Sequence, residues 1–199
     1  MKAGCTDEKS RKAVTMYAGQ CGNRVEPVLF DSSEAMFSAL AANEIDLAVI
    51  EAEDSFHGRI EENFDQLYKR RFYVNAETKI SGKIYFIISP EPAVPHRAKN
   101  REYRILVAIT PHNDRPGLLR DISSVVGIYR VNMTDIFSRP AVEPSLKKKD
   151  AKMFYIIMEG HIMDDIFQSH ILEGIKSILE HSEKFPSFRF LGCYEAAQF

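Results

Sequence analysis

Two short turns in the second half of the chain carry residue types that could bind a small anion. Gly117 opens a predicted helix, and about 20 residues later Ser138 and Arg139 end a predicted strand before Pro140. Glycine lets the backbone approach a ligand closely, and a helix N-terminus offers N–H groups and a positive dipole to a carboxylate. An amino acid would fit if acceptors and an apolar slot received its ammonium group and side chain. A simple helix start and a strand-ending turn explain the same residues.

Other reactive residues in the sequence form no recognisable site. The six histidines do not cluster and lack metal-ligand spacing, so we predict neither a metal nor a cofactor. The three cysteines, Cys5, Cys21 and Cys193, are widely spaced, which argues against a disulfide framework and a zinc site. The sequence also lacks a phosphate-binding loop, a local Ser-His-Asp signature and a basic aromatic stripe.

The composition indicates a soluble globular protein. The 199 residues are 45% hydrophobic and 27% charged, with a net charge of −2, so neither a nucleic acid nor a membrane is expected as a partner. The basic run Lys147–Lys149 is explained as a solvated loop. Residues 1–12 lack the apolar core of a signal peptide, so we predict a cytoplasmic protein. Because chain termini are commonly disordered, we also predict that these residues form a disordered tail.

A proline-rich segment separates two predicted domains. Three prolines fall in "SPEPAVPHRAKN", residues 89–100, and proline stiffens an extended linker. We therefore predict an N-terminal α/β lobe over residues 13–89, a linker over 90–101 and a C-terminal domain over 102–199.

The C-terminal domain is predicted to have the order βαββαβ. The segments "YRILVAIT", "VNMTDIFS", "AKMFYIIMEG" and "FRFLGCYE" have strand patterns, and the middle two should pair antiparallel. The segments "LLRDISSVVGIY" and "MDDIFQSHILEGIKSILEH" place apolar residues on one helical face. This order is that of the ferredoxin-like sandwich, an α+β fold with four antiparallel strands and two helices.

The same segments resemble the ACT regulatory domain of prephenate dehydratases over roughly residues 103–195. That family has a Gly-Ala-Leu motif at the first helix and a Glu-Ser-Arg-Pro motif at the second strand, which together hold L-phenylalanine between two subunits. The resemblance implies ligand-binding residues at both motifs, namely Gly117, Leu118, Leu119, Phe137, Ser138, Arg139 and Pro140. Leu118 replaces alanine and narrows the slot, while Phe137 replaces glutamate and adds an aromatic wall. The implied assembly is a homodimer or a larger homo-oligomer.

The N-terminal half resembles the catalytic domain of the same family. "VTMYAGQCGN", residues 14–23, is similar to its opening strand and glycine-rich turn, with Gly19 and Gly22 on the two glycines. The next segment is similar to a helix capped near Asp31 or Ser32, followed by a buried strand over residues 45–50. A loop resembling the Pro-Ile-Glu-Asn-Ser signature follows that strand.

The resemblance places candidate catalytic residues in this loop at Glu53, Asp54 and Ser55. Asp54 stands where the family has asparagine. Because prephenate carries two carboxylates, a further carboxylate would repel it unless that group were protonated or paired. Acids after a strand also commonly cap the next helix, which explains the same residues without catalysis.

The catalytic threonine of the family's Thr-Arg-Phe motif is not found. "RRF", residues 70–72, resembles the motif without its threonine, and the segment before the linker has the length of a single lobe. Ser55, Tyr17 or His57 could supply a proton, but each is equally explained as a loop or core residue.

Two functional hypotheses follow. The first is a regulatory protein that binds an aromatic amino acid at a dimer interface beside a catalytic lobe that no longer works. The second is a compact prephenate dehydratase, a lyase of phenylalanine biosynthesis that forms phenylpyruvate, water and CO2.

Overall fold

The computed structural model describes residues 1–111, 115–141, 151–179 and 188–197. The chain divides into two compact units, Met1–His96 with Tyr194–Phe199 (unit 1) and Arg97–Cys193 (unit 2). The division between His96 and Arg97 lies within the proline-rich segment, where residues 91–102 form neither helix nor strand. No helix in the described part of the chain is long and apolar enough to span a membrane.

Unit 1 is an α/β lobe with three helices. Its strands are β1 (Lys2–Cys5), β2 (Glu26–Leu29), β3 (Leu47–Asp54), β4 (Gly58–Arg59), β5 (Tyr73–Ile80) and β6 (Lys83–Ser89), and its helices are α1 (Glu8–Cys21), α2 (Ser33–Ala41) and α3 (Glu61–Arg70). The strand order is β2-β1-β3-β6-β5, and β4 pairs with β3. Strand β1 is parallel to β2 and β3, whereas β6 is antiparallel to β3 and β5.

Polar caps and a tight turn fix the limits of these elements. The Asp7 carboxylate accepts a hydrogen bond from the Ser10 N–H at 2.6 Å, and the Ser10 hydroxyl accepts from the Asp7 N–H at 3.0 Å, forming a capping box for α1. Ser32 caps α2, as predicted. The β5–β6 hairpin turns at Ser81 and Gly82, whose φ angles of 50° and 80° match a type I′ turn.

The prediction that residues 1–12 form a disordered tail is wrong. Strand β1 lies between β2 and β3, and Ala3 and Cys5 are buried. Gly4 makes this packing possible, because a Cβ at this position would lie 2.7 Å from the Met36 Cγ. The strand has only four residues, too few to display a periodic pattern in the sequence.

The strand and glycine turn predicted over residues 14–23 are also wrong. This segment lies mainly in α1, where Ala13, Val14 and Tyr17 pack on the core of unit 1 at helical spacing. Gly19 lies inside the helix, and Gly22 ends it in the left-handed conformation with φ 67°. The apolar residues 13, 14 and 17 fit a helix once Asp7 is recognised as its cap.

Unit 2 has the predicted order βαββαβ. Its elements are β7 (Tyr103–Ile109), α4 (Leu118–Ile128), β8 (Met133–Pro140), β9 (Lys152–Glu159), a π-helix (Ile166–Ile171) that continues into α5 (Leu172–Ile178), and β10 (Phe188–Glu195), of which residues 188–193 belong to unit 2. The strand order β10-β7-β9-β8 and the antiparallel pairing of β8 with β9 confirm the ferredoxin-like fold. The predicted basic loop Lys147–Lys149 lies outside the described residues.

The core of unit 2 lies between the sheet and the helices. Helix α4 buries Leu118, Ile122 and Val126, whereas Leu119, predicted on the same face, is 37% exposed. These residues pack with the inward-facing side chains of β7 and β9. The packing fixes α4 so that its N-terminus follows the carboxyl end of β7.

Candidate functional site

Three charged side chains meet at the carboxyl end of β3. Antiparallel pairing sets Asp54 opposite Lys83 and Glu51 opposite Tyr85. The Lys83 Nζ lies 2.7 and 2.9 Å from the two Glu51 carboxylate oxygens and 2.8 Å from the Asp54 Oδ2. We call Glu51, Asp54 and Lys83 the Lys83 cluster.

Hydrogen bonds and opposite charge keep the Lys83 cluster ionised. The Lys83 ammonium group and the backbone N–H groups of Phe56 and His57 hold the pKa of the Asp54 carboxyl far below its usual range. Asp54 and Glu51 in turn raise the pKa of Lys83. At neutral pH, two carboxylates therefore share one ammonium group, which leaves the cluster with a net charge of −1.

The N-terminus of α1 contributes another carboxylate near this cluster. Burial raises the pKa of Asp7, but hydrogen bonds from Ser10 and Lys9 and the charge of Lys83 outweigh it and lower the pKa overall. Asp7 thus provides the hydrogen-bond acceptor at the N-terminus of α1, and its charge makes the surroundings of the Lys83 cluster more negative.

Tyr85 places a buried phenol beside the same charges. Its side chain is 1% exposed and packs with the α1 residues Ala13 and Val14. Burial, followed by the charges of Glu51 and Asp7, raises the pKa of Tyr85 to about 12. Its hydroxyl makes no hydrogen bond within the described part of the chain, so this phenol is an unsatisfied polar group at neutral pH.

Among the catalytic residues predicted from the sequence, only Asp54 joins the Lys83 cluster. Glu53 is exposed, and the Ser55 N–H donates to the Gly82 carbonyl at 3.0 Å. His57 is largely exposed, with its Nδ1 3.4 Å from the Asp54 Oδ1. The predicted glycines Gly19 and Gly22 lie toward the opposite end of α1 from Asp7.

The sequence analysis missed Lys83, Tyr85 and Asp7. The alternation in "KIYFIIS" could have placed Lys83 and Tyr85 on one face of a strand. Their alignment with Glu51 and Asp54 required the β3–β6 register, which includes an irregularity between Glu51 and Glu53. Asp7 was missed because its segment had been assigned to a disordered tail.

In unit 2, Gly117 forms the N-cap of α4. Its φ of 87° is left-handed, and it supplies no side-chain cap to the helix. A Cβ on Gly117 would lie 3.5 Å from an Arg120 guanidinium nitrogen. Arg115 and Arg120 form ion pairs with Asp121 and lower the pKa of its carboxyl. The start of α4 is therefore surrounded by guanidinium groups.

The second predicted binding motif lies on β8, which ends the strand order of unit 2. Phe137 stacks on Tyr155, with ring centroids 5.0 Å apart and ring planes 21° apart. Ser138 and Pro140 are exposed, whereas Arg139 is half-buried. Phe137 therefore presents an aromatic surface already supported by a second ring.

The topology brings the two predicted binding motifs to one end of unit 2. Strands β7 and β8 are each antiparallel to β9, so their carboxyl ends lie at the same end of the sheet. Gly117 follows β7, and Arg139 and Pro140 end β8. Leu118 is buried in the core, which leaves Gly117 and Leu119 as the exposed residues of the first motif.

Metal ligands and disulfides play no part in the geometry just described. The described residues contain no group of three or more His, Cys, Asp and Glu side chains arranged to hold a metal ion. Cys5, Cys21 and Cys193 are free thiols, of which Cys21 is exposed.

Comparison with protein families gives a match over the first half of the chain. Residues 9–99 match the family model described as prephenate dehydratase. This range contains the whole Lys83 cluster. The curated proteins include no match to the chain.

Solved structures of similar fold extend over almost the whole chain. The prephenate dehydratase from Streptococcus mutans is 19% identical, with 100% of both chains covered and a TM-score of 0.75. The prephenate dehydratase from Arthrobacter aurescens, determined in complex with L-Phe, is 15% identical, with 97% of this chain and 89% of that chain covered and a TM-score of 0.75. GqqA, described as a novel type of quorum quenching acylase, is 18% identical, with 98% and 94% covered and a TM-score of 0.68. At these identities the matches show the fold.

Proposed function

We propose that this chain, whose residues 9–99 match the prephenate dehydratase family model, is an amino-acid-binding regulatory member of that family whose unit 1 no longer catalyses dehydration efficiently. The ligand would be an aromatic amino acid similar to L-phenylalanine, bound by unit 2 between two copies of the chain. The observation that carries this proposal is the ion pairing of Lys83 with both Glu51 and Asp54.

The charge balance of the Lys83 cluster disfavours prephenate as a ligand. Prephenate is a dianion, and its site needs cationic or neutral hydrogen-bond donors. Lys83 already interacts with two carboxylates, and the nearby Asp7 adds a third negative charge. A second dianion would compete with these groups for one ammonium group, and like charges in proximity are strongly unfavourable.

Unit 2 offers better features for an amino acid. The Leu118 N–H donates to the Arg115 carbonyl at 3.2 Å. Because Gly117 brings no side-chain acceptor to the first turn of α4, we assign the N–H groups of Leu119 and Arg120 to an external carboxylate. The side chain of Arg139 comes from the same end of the sheet, and the stacked rings of Phe137 and Tyr155 offer an apolar wall. The similar fold of a prephenate dehydratase in complex with L-Phe supports this ligand class.

A dimer would complete this site and cover an exposed strand edge. Strand β8 lies at the end of the unit 2 strand order and carries the second motif. Edge strands are often covered by a symmetric copy of the same chain. Sedimentation with and without L-phenylalanine tests this assembly, and a monomer under both conditions would reject it.

The deciding experiment measures catalysis and binding on the same protein. Phenylpyruvate formation from prephenate is followed at several protein concentrations, and L-phenylalanine binding is titrated by calorimetry. The proposal expects L-phenylalanine binding and no turnover above the uncatalysed rate. Turnover proportional to protein would instead establish the alternative, a compact prephenate dehydratase. Absence of L-phenylalanine binding would reject the proposed ligand.

A further inference from the structure

Unit 2 contains a large cleft at the end opposite the Gly117 motif. The cleft has a volume of ≈ 1170 Å³, and its walls come from residues 97–103, the turn after α4, the end of β9 and the start of the π-helix. Tyr103 begins β7 and Asn132 precedes β8, so the cleft lies where these two strands start. Gly117 follows β7, and Pro140 ends β8. Strands of this length span roughly 20 Å, so the cleft is separate from the proposed amino-acid site.

Hydrogen bonds hold the walls of this cleft in place. The Tyr103 hydroxyl accepts from the Ala98 N–H at 2.8 Å, and the Tyr103 carbonyl accepts from the Gly160 N–H at 2.8 Å. Arg97, in the segment that precedes β7, forms an ion pair with Asp164, which lies just before the π-helix. The cleft is therefore largely formed before any ligand binds, as small-molecule sites usually are.

Unusual backbone conformations are concentrated around the cleft. Asn100 and Arg130 have φ angles of 62° and 55°, and Gly160 has a φ of 141°. A Cβ on Gly160 would lie 2.0 Å from the Phe167 ring, so Gly160 allows this ring to close one wall. A π-helix begins at Ile166 beside the same wall. Such conformations cost free energy and are concentrated at ligand sites.

The cleft is lined by four cations and four acids. Lys99 and Arg130 are exposed and form no ion pair within the described residues, and Glu102 is the corresponding uncommitted acid. Of the other acids, one is ion-paired and two accept hydrogen bonds from neutral groups. Asp164 pairs with Arg97, Glu159 accepts from the Asn132 amide, and Asp165 accepts from the Ser169 hydroxyl.

Exposed apolar side chains lie beside these cations. Met163 is 65% exposed and Ile166 is 42% exposed, and both line the cleft together with the buried Phe167 ring. Large apolar side chains grouped at a concave surface commonly mark a binding site. The cleft thus combines an apolar wall with two cations that form no ion pair within the described residues.

We infer that this cleft is a second ligand site of unit 2, for a small organic carboxylate with an aromatic or branched apolar body. Lys99 and Arg130 bind the carboxylate, and Met163, Ile166 and Phe167 contact the apolar body. This site acts independently of the Gly117 motif, so its ligand and L-phenylalanine bind to the same unit without competing.

Three matched probes test this ligand class on the full chain. Calorimetry compares 3-phenylpropionate with 3-phenylpropylamine, which reverses the charge, and with propionate, which lacks the ring. Binding of 3-phenylpropionate alone is expected. No binding of 3-phenylpropionate, or equal binding of the amine, would overturn the inference.

Two variants locate the binding. Arg130→Asn removes the cation and keeps a residue that tolerates the left-handed conformation, and Met163→Asp places a charge at an exposed position of the apolar wall. Each should weaken 3-phenylpropionate binding by about 10-fold or more, as expected for loss of a charge-assisted contact. Lys152→Asn, an exposed cation on β9 outside the cleft, should have no effect.

The amino-acid site provides the last control. Gly117→Asp should leave 3-phenylpropionate binding unchanged. If Gly117→Asp abolished this binding while Arg130→Asn and Met163→Asp did not, the probe would bind at the Gly117 motif and the cleft would be rejected as a site. Thermal denaturation of each variant confirms that the fold is retained.

Discussion

Units 1 and 2 both begin a helix after a strand, but they satisfy the two helix N-termini in different ways. In unit 1, the Asp7 carboxylate accepts the Ser10 N–H and completes a capping box. In unit 2, the corresponding cap is Gly117, which has no side chain. A helix N-terminus favours a negative group. Unit 1 supplies that group at the cap position itself, whereas in unit 2 the cap has no side chain and the acid of the first turn, Asp121, is paired with Arg115 and Arg120.

The same contrast holds for the cations of each unit. Lys83 is enclosed by two carboxylates of unit 1, while Arg115 and Arg120 lie on the exposed surface around Gly117 and share one carboxylate, Asp121. Internal pairing therefore commits Lys83 to two carboxylates of its own unit, whereas the two guanidinium groups of unit 2 share one carboxylate. This difference favours binding in unit 2 over catalysis on a dianion in unit 1.

The largest expected effect comes from giving unit 2 the charge that unit 1 already has. Gly117→Asp places a fixed carboxylate where the ligand carboxylate would bind, and like-charge contacts cost several kcal/mol. L-phenylalanine affinity should fall by about 100-fold. Gly117→Asn is the matched control, since asparagine also tolerates a positive φ but carries no charge. Calorimetry giving equal affinities for the two variants would contradict the carboxylate role of this helix start.

Overpacking β1 should have the next largest effect. A Cβ on Gly4 would lie 2.7 Å from side-chain atoms of Ile45 and Met36, so Gly4→Ala should lower the free energy of unfolding by about 2 kcal/mol. Gly19→Ala, where a Cβ meets nothing within 4 Å, should instead raise it by up to about 1 kcal/mol. Urea denaturation measures both changes. A neutral Gly4→Ala would mean that β1 is not tightly packed.

The lengths of the helices and strands explain why the sequence predicted unit 2 better than unit 1. In unit 2, each strand and helix has seven or more residues with clear periodicity, apart from the six-residue π-helix, and the predicted order was confirmed. In unit 1, strand β1 has four residues, one of which is Gly4, and it shows no period. A resemblance that placed the first strand at Val14 then reinforced the error.

The candidate site was only partly predictable for a related reason. Asp54 was identified from a local motif, but its partner Lys83 lies 29 residues later in the sequence (83 − 54). Their contact depends on the β3–β6 register and on the irregularity beside Glu53. Long-range pairing of this kind leaves no local signal in a single sequence.

Removing the unsatisfied phenol should sharpen the contrast by stabilising unit 1. The Tyr85 hydroxyl is buried without a hydrogen-bond partner among the described residues, and such groups carry a desolvation penalty. Tyr85→Phe should raise the free energy of unfolding by about 1 kcal/mol. Tyr17→Phe is the matched control, because Tyr17 is only partly buried against the same core, and it should have a smaller effect. A destabilised Tyr85→Phe would show that the hydroxyl has a partner that stabilises the fold.

Removing the Asp7 cap of α1 should lower the free energy of unfolding by about as much as Tyr85→Phe raises it. Asp7→Ala deletes the acceptor for the Ser10 N–H and should lower the free energy of unfolding by about 1 kcal/mol. Glu8→Ala removes only an exposed ion pair with Arg11 and should change it by less than about 0.5 kcal/mol. Equal effects of the two substitutions, measured by urea denaturation, would argue that Asp7 contributes only general charge.

The effect of Asp54→Asn should depend on pH, because an amide oxygen can still accept the N–H groups of Phe56 and His57 but carries no charge for Lys83. The substitution removes the free energy by which the folded state favours the ionised form of the Asp54 carboxyl. Because the folded pKa of Asp54 lies below the unfolded value of about 3.9, ionisation stabilises the fold above that pH. The stabilisation disappears as the pH falls from about 4 towards the folded pKa. Wild type should therefore exceed the variant in stability at pH 7, and the difference should shrink below pH of about 4. A difference that stays constant or grows in acid would show that the charge of Asp54 does not stabilise unit 1.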